Sequence, residues 1–405
     1  MIHLFINGLS ASAGGGLTYL RNVVPHLAAA DGVRTTVAVT PALAAEFASL
    51  PHVAVVTVAG MNSAKRFWYE QTVLPGIIER SGADVLICAG NFGLRKSPVP
   101  QILLSRNALY TSSDFFSDLR TRREYAIWLD TRIKAVLAAR SIRWADCTVA
   151  PSEAFASDLR RWTGRPVSTI YHGFDAELFF GNGAALPVDV QQQLDATNGS
   201  LRFLFVSHYN YYRNFETLLW AVAQLRARMP QVKLLLTCKL DPEHNTGDYH
   251  AGRAANLVEK LGLENNVVQL GTVPYASLHQ VYKSADVYVT AAYAESFAHP
   301  LVEAMASGLP VVASDIPVHR EICGDAALYF PRFSAADLAD RIQHVAGNPR
   351  LRDALSARGR LRASDFSWEK HVQQMVELAL ELKHGCTSTS AASIDSRKIS
   401  PAQIA

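Results

Sequence analysis

Short runs of apolar, often β-branched residues alternate along this chain with longer stretches whose apolar positions recur every three or four residues. In the first half, runs at His3–Ile6, Thr35–Val39, Val53–Val58, Asp84–Cys88, Gln101–Leu104, Cys147–Ala150 and Val167–Ile170 predict strands. Between the first two runs, Leu17, Leu20, Val23/Val24 and Leu27 trace one helix face. The pattern lapses over 176–199, which is rich in Gly, Asn, Gln and Ala and predicts a linker. It resumes with strands at Arg202–Val206, Val232–Thr237, Val267–Leu270, Val287–Thr290 and Val311–Ala313. Helical spacing covers Phe215–Met229, Leu278–Ala285 and Asp337–Val345. The Ser/Thr/Ala-rich end, 385–405, has no period and predicts a flexible tail.

Strand–helix alternation builds parallel sheets covered on both faces, so the fold class is α/β with two doubly wound halves. Ligands of such sheets bind at the carboxyl ends of the strands. The length, 405 residues, supports two domains of ordinary size. Hydrophobic residues at 49% and charged residues at 19% exclude general disorder. Lys+Arg 39 against Asp+Glu 36 is too balanced for a protein that coats nucleic acid. Cys88, Cys147, Cys238, Cys323 and Cys386 form no C-x-x-C pair, which predicts neither a zinc or iron–sulfur centre nor a disulfide framework. No apolar run reaches membrane-spanning length. Ala11-Ser12-Ala13 mimics a signal-peptidase site, but the charged and long apolar regions before it are missing. The expectation is a cytoplasmic chain.

The most informative stretch is Tyr293–Ser314, YAESFAHPLVEAMASGLPVVAS. A strand runs into a loop holding Glu295; Pro300 then opens a helix that carries Glu303 and stops at Gly308. Proline suits the first helical turn. The amides of Leu301 and Val302 are then expected to point free at a helix N-terminus, where an anion is favoured. Glu303 could accept hydrogen bonds from a diol. The plain alternative, that Glu303 serves the helix dipole and Glu295 is a solvated loop residue, has equal weight on local physics.

Three further stretches place chemistry at strand ends. Gly14-Gly15-Gly16 follows the first strand and would let a phosphate approach the backbone of Gly15 and Gly16. A tight strand–helix turn explains the same glycines equally well. Ser207–Asn214, SHYNYYRN, follows the first strand of the second half. Arg213 there could neutralise a diphosphate bidentately. His208 is a weaker cation near neutrality. Tyr209, Tyr211 and Tyr212 could simply pack against the domain. Asn107, after the Gln101–Leu104 strand, could hydrogen-bond a sugar or merely form a turn.

ESFAHPLVEAMASGLPVVASDIPVHREICGDAALYF resembles the donor-binding segment of the family 4 retaining glycosyltransferases of GT-B fold. Glu295 and Glu303 occupy the ends of that family's E-x7-E motif. The resemblance extends to APSEAFASDL (150–159), YHGFDAELF (171–179), GTVPYASLHQVYKSADVYV (271–289) and FSWEKHV (366–372). It implies two Rossmann-like domains facing across a cleft: an acceptor-side domain over 1–175, a linker over 176–199, and a nucleotide-sugar domain over 200–365. A C-terminal helix near 366–384 would return to the first domain.

By the same resemblance Glu303 holds the nucleotide ribose and Glu295 contacts the donor sugar. Gly15, Gly16, His208, Arg213, Phe297, Ala298, His299, Leu301 and Val302 complete the donor set, with Glu295 and Arg213 catalytic. Asn107 stands on the acceptor side, where many members have a His. Ala298-His299 replaces the family's usual Gly-Leu, and His208 and Arg213 replace an Arg and a Lys. The implied reaction moves a hexosyl or deoxyhexosyl group from a nucleoside-diphosphate sugar to a hydroxyl of a saccharide or polyprenyl-linked saccharide, with retention, no metal and no further cofactor. A GT-B epimerase or phosphorylase and a non-catalytic sugar-binding protein remain the rival readings. Asp118–Trp144 holds seven basic and three acidic residues, with Tyr125, Trp128 and Trp144 interleaved. That pattern fits a helix lying on an anionic membrane at the inner face, or an ordinary domain helix with its aromatics inward.

Overall fold

The structure, a computed structural model, describes residues 1–11, 15–181, 184–241 and 249–385. Gly14, Cys386 and nearly all of the expected tail lie outside the described residues.

Two sheets organise the chain. The first holds β1 (Ile2–Asn7), β2 (Val33–Val39), β3 (Val53–Thr57), β4 (Val85–Cys88), β5 (Gln101–Leu104), β6 (Cys147–Ala150) and β7 (Ser168–Thr169), in the order β3-β2-β1-β4-β5-β6-β7. The second holds β8 (Leu201–Phe205), β9 (Val232–Leu236), β10 (Val267–Gln269), β11 (Val287–Thr290), β12 (Val311–Ser314) and β13 (Ala327–Phe330), in the order β10-β9-β8-β11-β12-β13. Their strands pair in parallel. The near-continuous apolar runs of β1, β4, β9 and β11 follow from burial on both faces. In the second sheet the winding reverses between β8 and β11. A topological switch point of this kind opens a crevice beyond the strand ends.

By packing, the chain divides into two compact units. One comprises Met1–Leu103, Trp144–Cys147 and the chain from Val372 onward; the other comprises Leu104–Arg143 and Thr148–His371. In the first unit, Lys383 near the C-terminal end of the Trp368–Lys383 helix ion-pairs with Asp84 at 2.9 Å. In the second unit, Phe203, Leu234 and Val289 of the sheet share a core with Phe115 and Leu119 of the Ser113–Arg122 helix. Gly173 is required by close approach: a Cβ there would come within 2.1 Å of the Trp368 backbone nitrogen.

Several sequence expectations are corrected here. Residues 176–199 contain two short helices, Ala176–Gly181 and Val188–Asp195; Val190 and Leu194 are buried on the latter, too short a pattern for periodicity to register. β13 was not expected, because its four residues carry no alternation. The first helix begins at Gly15, so Gly15 and Gly16 are helical residues rather than a preceding loop. His319, on the helix after β12, is fully buried and hydrogen-bonds the Ser314 carbonyl at 2.9 Å through Nδ1.

Candidate functional site

The two strands that flank the switch point deliver the central residues. Beyond β8 the chain forms a 3₁₀ turn, Tyr211–Arg213; beyond β11 runs the loop that carries Glu295. The Tyr293 amide donates to the Tyr212 carbonyl at 3.0 Å, tying the two segments together. Asn214 takes the left-handed conformation, φ 56°, and its Nδ2 donates to the carbonyls of Ala291 and Arg332. Asparagine tolerates that backbone region better than most side chains.

Arg213 Nη1 donates to Glu295 Oε1, and both side chains are largely shielded from water. The guanidinium lies 5.0 Å from the Tyr212 ring centroid. Burial opposes its charge, but Glu295 and Tyr212 hold Arg213 protonated above its ordinary range. Burial pushes the Glu295 carboxyl up, and Arg213 pulls against that shift. The two residues assigned catalysis are therefore neutralising each other.

Glu303 lies on the His299–Ala306 helix and is buried. Burial raises its carboxyl to about 7, against the hydrogen bond that Tyr282 Oη donates to Oε2 at 2.8 Å. Tyr282 comes from the Tyr275–Lys283 helix. No spacing rule links positions 21 residues apart on separate helices, so only the fold reveals this partner.

Ala298 caps the same helix at φ 68°, a conformation that disfavours any side chain beyond hydrogen. Ala298→Gly is expected to stabilise the protein by up to about 1 kcal/mol, the left-handed strain relieved less the added backbone entropy. A lower melting temperature for the glycine variant would contradict this account. The Leu301 amide is not free as expected: it donates to the Ala298 carbonyl at 3.0 Å. His299 turns away from solution chemistry. It stacks on His172, ring centroids 5.1 Å apart, and lies near Phe297 and Trp368. Burial first, then Arg106 and His371, lowers its imidazole to about 3, so it offers an anion no charge.

The remaining candidates separate. His208 is exposed, with its carbonyl accepting from Ser207 Oγ at 2.6 Å. Asn107 Oδ1 accepts the Leu109 amide at 3.0 Å and caps the Ala108–Tyr110 turn, the plain reading of that residue. Gly15 and Gly16 belong to the first unit, where a Cβ at Gly15 would meet nothing within 4 Å. Tyr209 and Tyr211 are buried core residues.

A supporting network was invisible in the sequence. Arg122 pairs with Asp118 at 2.8 Å and Glu216 at 2.7 Å, and its guanidinium lies 4.4 Å from the Tyr211 ring centroid. Asp118 also accepts from Tyr293 Oη at 2.8 Å, two residues before Glu295. Glu321 accepts the amides of Glu153 and Ala154 at 2.7 and 2.6 Å, closing the N-terminus of the Glu153–Thr163 helix.

Comparison with known proteins bears on the family and the fold. Residues 189–362 match the family described as Glycosyl transferases group 1, and residues 13–178 match Glycosyltransferase Family 4. The D-inositol 3-phosphate glycosyltransferase of Thermobifida fusca (strain YX) is 26% identical over 251 residues, covering 60% of this chain and 57% of the relative. The phosphatidyl-myo-inositol mannosyltransferase of Mycobacterium tuberculosis (strain ATCC 25618 / H37Rv) is 31% identical over 235 residues, 55% of this chain and 57% of the relative. The chain thus spans about half the length of the curated relatives it matches. Among solved structures, sucrose-phosphate synthase (tll1590) from Thermosynechococcus elongatus superposes with a TM-score of 0.75 at 22% identity, over 94% of this chain and 99% of that one, a likeness of fold. With two family matches that together run through both sheets, and with Glu295 and Glu303 at the switch point of the second, the chain belongs to the family 4 glycosyltransferases of GT-B fold.

Proposed function

We propose that this chain transfers a hexosyl or deoxyhexosyl group from a nucleoside-diphosphate sugar to a hydroxyl of a saccharide or polyprenyl-linked saccharide, with retention at the anomeric carbon. The observation that carries the reading is the Arg213–Glu295 pair at the β8/β11 switch point, with Glu303 and Tyr282 behind it. Cleavage of the glycosyl–phosphate bond puts negative charge on the diphosphate and positive character on the sugar. Arg213 is the cation for the first, a preorganised electrostatic effect. Glu295, freed from Arg213 as the diphosphate engages it, orients the sugar and tempers its charge. The acceptor oxygen bonds to the anomeric carbon on the face the phosphate leaves, and its proton passes to that phosphate. Glu303 takes the ribose hydroxyls.

Because Arg213 supplies the charge, transfer is expected to need no metal. Incubation with UDP-, GDP- and dTDP-sugars in EDTA, followed by NMR of the product's anomeric proton, tests both claims. An inverted product, or turnover that returns only with Mg²⁺ or Mn²⁺, would count against them.

The acceptor side is proposed to work at an anionic membrane surface. No helix among the described residues is long and apolar enough to cross a membrane. On the Tyr125–Trp144 helix, however, Tyr125, Leu129, Ile133 and Val136 are each more than half exposed. With Arg132, Arg140 and Arg143, also exposed, they fall on one helical face. Apolar side chains mixed with arginines and no carboxylate suit the lipid headgroup boundary. Trp128 instead packs edge-to-face on Phe116, and Arg122 is committed to its buried pairs. The useful variant is therefore Leu129→Ser with Ile133→Ser. It is expected to lose flotation with vesicles containing anionic lipid; unchanged flotation would remove the proposal's support.

A further inference from the structure

A cavity of about 520 Å³ opens on Glu295, and its lining includes none of Glu303, Leu301, Val302 or His208. Its volume falls in the range of small-ligand sites. Every residue lining it belongs to the second compact unit. One wall comes from the turn and helix start around Ser112 and Asp114, and another from Asp158 and Trp162 of the Glu153–Thr163 helix. The loops after β12 and β13 supply Asp315 and Arg332.

The charges of this lining are already paired, two of the four carboxylates within it and two with arginines outside it. Arg332 pairs with Asp114 at 2.8 Å and Arg161 pairs with Asp158. Asp315 is held by Arg320 at 2.5 Å, and Glu295 by Arg213. Each of the four lining carboxylates is thus matched by a guanidinium, two of which, Arg161 and Arg332, belong to the lining itself. A phosphate or uronate entering it would find no surplus positive charge and would have to displace a carboxylate from each lining arginine. Sugar hydroxyls face no such penalty. They donate to carboxylates whose remaining lone pairs are available and accept from guanidinium N–H groups. Trp162 is partly exposed in the lining and provides the broad apolar ring face on which the C–H side of a pyranose can lie.

We infer that this cavity is a subsite for an uncharged saccharide portion of the acceptor, with Trp162 as its platform. The inference rests on the proposed transfer reaction, since it reads Glu295 as the meeting point of donor sugar and acceptor. It also separates this chain from its relatives on one point of chemistry. An acceptor whose recognised end carries phosphate, as the name D-inositol 3-phosphate glycosyltransferase says of that relative, would not be favoured here.

The test is binding of the full chain to an immobilised glycan array, with and without UDP, in parallel with calorimetric titration of UDP-, GDP- and dTDP-sugars. Neutral hexose-ended glycans should bind at least tenfold better than phosphorylated, sialylated or uronate-ended ones. Trp162→Ala should abolish that signal while keeping nucleotide-sugar affinity, and Trp162→Phe should keep both. Strongest binding to anionic glycans overturns the proposal, as does equal binding by Trp162→Ala. So does nucleotide-sugar affinity with no glycan bound at all. Glycan binding without affinity for any nucleotide sugar would instead fail the transferase reading.

Discussion

Glu303→Gln is expected to make the protein more stable at pH 8 while weakening its hold on the donor. Burial raises the Glu303 carboxyl to about 7 from an ordinary value of 4.5. The folded state therefore binds a proton that the unfolded state has released. Stability from this group is full below about pH 4.5 and is lost as pH rises through about 7. At pH 8 the wild type keeps a charged carboxylate in a buried site, at a cost on the order of 3 kcal/mol. An amide of the same shape still accepts from Tyr282 and avoids that cost. Melting temperatures should diverge in favour of the variant at pH 8 and converge near pH 4.5. Donor binding should fall at pH 8, because a neutral amide is a poorer acceptor for two ribose hydroxyls than a carboxylate. A variant no more stable than wild type at either pH would show that Glu303 bears no burial penalty. The expected result, a variant more stable but poorer at holding the donor, is the usual conflict between a stable core and a working site.

That conflict explains what could and could not be read from the chain. β5 and β6 emerge with the bounds their apolar runs predict, and β11 likewise, because burial on both faces writes itself directly into composition. The strand run before Glu295 and the proline at 300 put Glu295 in a loop and Glu303 on a helix, which is where they stand. What pattern reasoning lacked was every partner fixed by tertiary packing. Tyr282 reaches Glu303 from another helix, and Arg122 supports the Glu295 loop through Asp118 and Tyr293. At Asn107 the turn reading of the sequence holds: a polar residue in the right loop is absorbed by a local cap. Leu301 does the same with its amide. Local hydrogen bonds of this kind compete with ligand binding and leave no trace in residue spacing.

The Arg213–Glu295 pair yields the other large effect, because each residue currently satisfies the other. Removing one partner of a shielded ion pair strands the second charge, so Arg213→Met alone is expected to cost on the order of 3 kcal/mol. Arg213→Met with Glu295→Gln should recover most of that loss, since no charge is left stranded, and a double-mutant cycle would read the coupling directly. Transfer should be lost in all three variants. Nucleotide affinity should not follow stability. In Glu295→Gln the guanidinium no longer has a carboxylate to leave, so a nucleoside diphosphate gains Arg213 without competition. UDP or GDP, whichever the wild type prefers, should bind that variant about tenfold more tightly, the equivalent of roughly 1.4 kcal/mol from one charge-assisted contact. Arg213→Met should bind it more weakly than wild type. The opposite signs are the diagnostic. If Glu295→Gln binds the diphosphate no better than wild type, the pair is not opened by the donor. Arg213 then serves to hold Glu295 in place, and the charge on the leaving group must be met by other groups in the fold.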